Sequence, residues 1–245
     1  MKPPSQSAVP SERPLEHSRT WFRTATLSLA AFLGLQCVWL LAAEHYRSTL
    51  RQLPTTAPAA AAAAKQRDSA ALAASIGLIR GELWAESAFS YANLLFGDPG
   101  QSGDTSLAGK LASSGQTLQR ALDEAPTQSG AWLLRAGLSL RYPILGFNAL
   151  DALKMSYYTS PTAPELAPLR LDMTTKLQWS SDAEMRQFVG RDLRMLLAQK
   201  RTRVIAETYD ASSLPEREII ELAFAGDQRV LRWLRTGASR GSLPD

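Results

Sequence analysis

TATLSLAAFLGLQCVWLLAA, residues 24–43, holds no Asp, Glu, Lys or Arg over its 20 positions. At about 1.5 Å per helical residue such a run is ~30 Å long, the thickness of a bilayer's hydrocarbon. Behind it follow 202 residues (44–245) with no cysteine and one histidine, His45. The expected fold is therefore all-α: one N-terminal transmembrane helix, then a helical domain.

Working outward, the first 23 residues are rich in Pro and Ser and carry Lys2, Arg13, Arg19 and Arg23. The nearest basic residues beyond the run are Arg47 and Arg51. Lys and Arg collect on the cytoplasmic flank of a span, so the amino terminus is expected inside and the domain outside. A cleaved secretory signal is the competing reading. Its apolar region is usually roughly 7–15 residues and closes on small residues, whereas here Leu41 stands where a small residue is wanted. An uncleaved anchor is the better match. Trp21 and Trp39 suit the two interfaces, and Ala30 with Gly34 forms a small-xxx-small pair able to pack a partner helix. The expected organisation is a disordered cytoplasmic tail (1–23), a transmembrane helix (24–43), a juxtamembrane helix with a Pro/Ala linker (44–64) and an all-helical domain (65–245).

The net charge of +4 is not a nucleic-acid signal, because residues 44–245 carry 23 basic and 21 acidic side chains, dispersed along the chain. A nucleic-acid surface wants its cations on one face. The short cluster Lys200-Arg201-Thr202-Arg203 reads as the solvated end of a helix, where cations are favoured. The lone Cys37 lies in the apolar run, so no disulfide forms within the domain.

Pro58 and the alanines that follow it suit a helix start, and one long helix is expected from there to about Leu95. Leu72, Ile76, Ile79 and Leu83 form one stripe on it; Trp84, Ala88, Tyr91 and Leu95 form a second. Gly97 to Asp104 is a loop by its breakers. Helical patterning then resumes over about 106–124, 128–141, 147–158, 164–177, 181–200, 202–210, 215–225 and 227–236, interrupted at Pro126, Pro143, Pro161 and Pro215. Ser181 and Asp182 are cap candidates. No stretch alternates as a strand would.

Ala121 to Pro126 and Ser156 to Pro161 share a spacing, each small residue 35 positions from its counterpart. Trp132, Ala136, Gly146 and Ala149 fall between them. The pattern resembles the tetratricopeptide repeat, a pair of helices of about 34 residues in which small residues allow close approach and Pro closes the unit. The resemblance covers about 107–161 and implies a helical-hairpin solenoid. Arg135 and Ser139 stand where that family has Leu and Tyr. The strings ALDEAPTQSGAWLLRAGLSL, ALKMSYYTSP and LRLDM look like membrane-anchored proteobacterial envelope proteins with divergent repeats, a group that accompanies envelope and polysaccharide genes. That resemblance implies a bacterial inner-membrane protein with its domain in the periplasm and protein partners in the cell envelope, and it carries over no catalytic residue. Leu133, Ala136, Gly137 and Leu140 share a helix face with Arg141 at its end. In the repeat family much of that face lines the concave groove, which makes Leu133, Gly137, Leu140 and Arg141 the candidate partner-binding residues. Packing against the protein's own helices is the alternative for this apolar face.

Little in the chain points to chemistry. With His45 alone beyond the apolar run, a Ser–His–Asp arrangement has no material, and Cys/His zinc sites lack ligands. No Gly-rich phosphate-binding string exists. No cofactor, metal or small-molecule substrate is expected, and the chain is read as a non-enzyme. Glu86-Ser87-Ala88-Phe89 resembles the Glu-Ser of lytic transglycosylases, which implies a peptidoglycan-cleaving enzyme using Glu86. The Gly-Leu-Met-Gln string of that family is absent, and Glu82 one turn earlier suits an exposed acidic edge. A structural subunit of a larger membrane complex is the third reading. Glu216, Glu218 and Glu221 open a helix, where negative charge is favoured. Trp132, Tyr142, Phe147, Tyr157 and Tyr158, with Trp179 and Trp233, are expected to fill seams between helices, although clustered aromatics also make sugar- or peptide-binding surfaces.

Overall fold

The apolar run lies in α1, a continuous helix over Leu15–His45. The computed structural model describes residues 15–96, 105–143 and 146–236. The expected loop Gly97–Asp104 and the first 14 residues lie outside these. Because α1 begins at Leu15, part of the stretch read as disordered tail is helical. From Trp21 to His45 the helix is long and apolar enough to cross a membrane. Gly34 has open space around it and Ala30 is exposed.

The expected single helix from Pro58 to Leu95 is instead four: α2 (Ala57–Lys65), α3 (Arg67–Gly77), α4 (Gly81–Phe89) and α5 (Asn93–Phe96). Tertiary contacts make the breaks. At the first, Gln66 accepts the Thr49 amide on its side-chain oxygen at 3.0 Å. At the second, Leu78 turns through φ +24° between Gly77 and Gly81. Gly81 lets α4 begin hard against the end of the next helix, since a Cβ there would lie 2.5 Å from Ala125 Cβ and 2.7 Å from the Glu124 carbonyl carbon. Residues 44–64 are not a linker either. Leu53, Ala60 and Ala63 are buried, and Leu53 and Ala60 belong to the main core; helix is absent between Tyr46 and Thr56.

The remaining helices follow the sequence pattern to within three residues at each end: α6 (Thr105–Glu124), α7 (Ser129–Arg141), α8 (Ala149–Thr159), α9 (Ala167–Thr174), α10 (Ala183–Ala198), α11 (Thr202–Ala211), α12 (Leu214–Ala223) and α13 (Gln228–Arg235). Local chemistry sets their ends. Asn148, Asp182 and Asp227 each accept two amides of the first turn they cap. Of the two cap candidates for α10, Asp182 is the one used. Glu216 reaches back to the Ser213 amide at 2.9 Å, so it serves a helix start as its position suggested. Lys200 adopts φ +58° after α10, allowing the Arg201 amide to close on the Leu196 carbonyl at 2.9 Å.

The described residues contain helices and no strands. α4 packs on α6 and α7, α7 most extensively on α8, α9 on α7 and α10, and α10 on α12. One buried cluster runs from Leu53 to Leu234, so the helices after α1 other than α3 share a core, while Ala74 of α3 belongs to a smaller cluster with Ala43 and Leu83. Tyr142, Tyr157, Trp179 and Trp233 are buried in it, as aromatic seam-filling requires, whereas Tyr158 is exposed.

The end of α1 is docked on this body. Ala43 is buried against Ala74 and Leu83, and Trp39 Nε1 donates to the Ile76 carbonyl at 2.8 Å. As the partner on α3 rises from 74 to 76, the partner on α1 falls from 43 to 39. α3 therefore runs antiparallel along the last turns of α1.

Candidate functional site

A cleft of about 680 Å³ opens between α5, α7 and α9, beside Thr55. Its walls carry Leu95, Phe96, Leu140, Leu169 and Met173, and Arg141, Asp172 and Lys176 stand among them. The volume falls within the usual ~300–1,000 Å³ of sites for compact ligands or anchoring side chains. Gly137 forms part of the lining because α7 approaches its neighbours closely there: a Cβ would collide with Met173 Cε and Leu95 Cδ2.

The charges around the cleft are unevenly engaged. Lys176 pairs with Asp172 at 2.6 Å on the rim. Arg141 donates one terminal nitrogen to the Leu95 carbonyl at 3.1 Å. Its Nε is buried and has no hydrogen-bond partner. An apolar trough with a guanidinium in its wall is suited to a segment that offers an apolar side chain and a carboxylate.

Three of the four candidate partner-binding residues, Gly137, Leu140 and Arg141, line this cleft. Leu133 does not reach it and is wholly buried in the core. The opposite walls, from α5 and α9, carry no local signal that could have joined them to α7 in advance.

Glu86 sits elsewhere, 3 % exposed on α4. Arg47 holds it in a two-pronged ion pair, with Nη2 at 2.6 Å from Oε1 and Nε at 3.1 Å from Oε2. Arg47 also pairs with Glu44 at 3.0 Å. Arg80 joins Glu44 at 2.7 Å and pairs with Glu82. Glu86 thus belongs to a network that fastens the end of α1 to α4. Its carboxylate oxygens face a guanidinium and do not line the cleft.

A third concentration of charge is enclosed. Arg170 on α9 and Asp192 on α10 are both fully buried, and Arg170 lies over the Tyr157 ring of α8, with Cζ 4.5 Å from the ring centroid. Arg170 donates to Ser156 Oγ at 3.1 Å and to the Ser156 and Ser160 carbonyls at 2.5 and 2.9 Å. One Arg170 nitrogen, the Tyr157 hydroxyl and both Asp192 oxygens lack hydrogen-bond partners. Burial pushes the Asp192 carboxyl up to about 6, against the opposing pull of Arg170, and raises the Tyr157 hydroxyl well above its ordinary value. Burial lowers Arg170. Being sealed from solvent, these groups form a polar element of the core.

Among the described residues no group of three His, Cys, Asp or Glu is placed to hold a metal ion. Comparison with known proteins gives no match to a family model, a curated protein or a solved structure.

Proposed function

We propose that this protein is a membrane-anchored adaptor or scaffold. In this reading α1 is a single-pass span of a bacterial inner membrane, with the amino terminus cytoplasmic and the helical domain periplasmic. The cleft between α5, α7 and α9 receives a protein partner, and the resemblance in the repeat region favours an envelope polysaccharide assembly or export system. The observation that carries the reading is the cleft itself, which Leu95, Leu140 and Met173 line with apolar surface. Arg141 adds a cation to the cleft wall. A partner segment presenting an apolar side chain and an adjacent carboxylate matches both. The helical pairs of the domain suit the display of such a groove, as in tetratricopeptide-like solenoids.

Affinity purification of the full-length chain from detergent-solubilised membranes, with mass spectrometry of co-purifying proteins, tests this. Stoichiometric envelope-assembly proteins that are lost in Leu140→Asp, with α1 and the helical content intact, support the adaptor. A chain that emerges alone even after mild cross-linking removes it.

A further inference from the structure

The helix α1 and the domain overlap along the membrane normal. Trp39 donates to the Ile76 carbonyl and Ala43 is buried against Ala74 and Leu83, so the domain covers one side of α1 as far down as Trp39. Below that level the uncovered part of the apolar run is Thr24–Val38, 15 residues or about 22 Å of helix. A hydrocarbon core is ~30 Å thick. The bilayer must therefore rise past Trp39 toward Ala43, and at that depth α1 already has α3 beside it.

What α3 brings there is a turn. Because it descends antiparallel to α1, its end and the link to α4 form the lowest point of this contact. Leu78 and Ile79 stand at that point, 52 % and 74 % exposed. Leu78 occupies φ +24°, where glycine would be less strained. A leucine kept at such a position with its side chain outward has no interior packing to justify it.

Three carbonyls at the turn are taken up within the protein. The last carbonyls of a helix have no partner within it and are met by side chains, turns or water. Here the Ile76 carbonyl accepts from Trp39 Nε1 at 2.8 Å, the Gly77 carbonyl from the Arg80 amide at 2.7 Å, and the Leu78 carbonyl from Trp84 Nε1 at 2.9 Å. Arg80, the first charged residue after the apolar tip, turns its guanidinium to Glu44 at the end of α1 and to Glu82. This is how an arginine at a membrane boundary keeps its head polar while its stem crosses apolar surroundings.

We propose that the Leu78–Ile79 turn is immersed in the leaflet on the domain's side, with both side chains against lipid acyl chains. The inference rests on α1 being a span. The domain then lies on the membrane surface with a fixed face down.

The test uses the full chain with Cys37→Ser, labelled with an environment-sensitive nitrobenzoxadiazole dye at one of three exposed sites. These are Ile79→Cys, Leu29→Cys in α1 and Leu222→Cys on α12, in phosphatidylethanolamine/phosphatidylglycerol vesicles containing acyl-chain nitroxides. The expected result is blue-shifted emission at 79, quenched to within about twofold of site 29, with site 222 water-like and unquenched. Quenching at 29 without quenching at 79 overturns the immersed turn and leaves the span standing. A blue shift at 79 that the lipid nitroxides do not touch also overturns it, because the patch then faces protein. Absence of quenching at 29 removes the span reading and the turn together.

Discussion

Arg47 and Glu86, 39 residues apart, are joined through two guanidinium nitrogens and both carboxylate oxygens, the closest at 2.6 Å. The pair links the residues leaving α1 to α4, and Glu86 is almost wholly enclosed. Breaking such a pair from one side leaves a buried charge without compensation, a loss of about 3–5 kcal/mol. Arg47→Met is expected to destabilise the chain by that order, while Arg47→Met combined with Glu86→Gln recovers most of it. Denaturant unfolding of both variants in detergent, followed by circular dichroism, measures the difference. Equal losses in the single and double variants would show that Arg47 contributes little to the enclosed carboxylate.

Asp192 gives the core a pH dependence of opposite sign to that of a salt-bridged carboxylate. Its folded value of about 6 lies above the ordinary unfolded value near 3.9. The folded state therefore binds the proton more tightly. Its contribution is fully present below about pH 4 and lost as pH rises through 6. Relative to Asp192→Asn, the unaltered protein is expected to gain roughly 2–3 kcal/mol between pH 7 and pH 4. Unfolding free energies of the two proteins across that window give the slope. A constant difference between them would mean that Asp192 keeps its charge throughout.

Gly81 and Gly109 form a matched pair of tests. A Cβ at Gly81 meets the backbone of Glu124 and Ala125, which cannot rotate away, whereas Gly109 on α6 has open space. Gly81→Ala is expected to cost about 1–3 kcal/mol through overpacking. Gly109→Ala is expected to stabilise by roughly 0.5–1 kcal/mol, since alanine gives up less backbone entropy in a helix. Thermal melts that rank the two variants the other way would contradict the close approach of α4 to α6.

Asp182 offers a smaller test at the start of α10. Its carboxylate accepts the Glu184 and Met185 amides and pairs with Lys154 at 2.5 Å. These interactions hold its carboxyl below the usual range, the Lys154 hydrogen bond most of all. Asp182→Ala is expected to destabilise by about 1 kcal/mol, the loss of a helix cap, and Asp182→Asn by less. Parallel melts of both variants separate capping from charge; an equal loss would assign the effect to the Lys154 pair.

The helices after residue 105 were legible because each ends on local chemistry: Pro126, Pro161 and Pro215 as breakers, and Asp182 as a cap. The breaks at Gln66 and Leu78 were not. They depend on Thr49 holding Gln66 and on the close approach at Gly81, contacts that a helical pattern does not contain. The same divide runs through the cleft. Gly137, Leu140 and Arg141 follow from one helix face, but Leu95 and Met173 join them only through packing between distant segments. Leu133 shares that periodicity and is nonetheless interior. Nothing local to Glu82 and Glu86 announces that Arg47 folds back onto Glu86, so in the sequence the residue resembles either an acidic edge or a transglycosylase-like acid.

The docking of Trp39 and Ala43 on α3 makes the anchor a handle with an azimuth. A protein tethered by slack chain would be indifferent to one extra residue in its span. Here each residue inserted between Leu27 and Leu33 would turn everything above it by about 100° relative to the helix below. A complex that grips both the lower half of α1 and the cleft would thus lose and regain its fit with helical periodicity as residues are added.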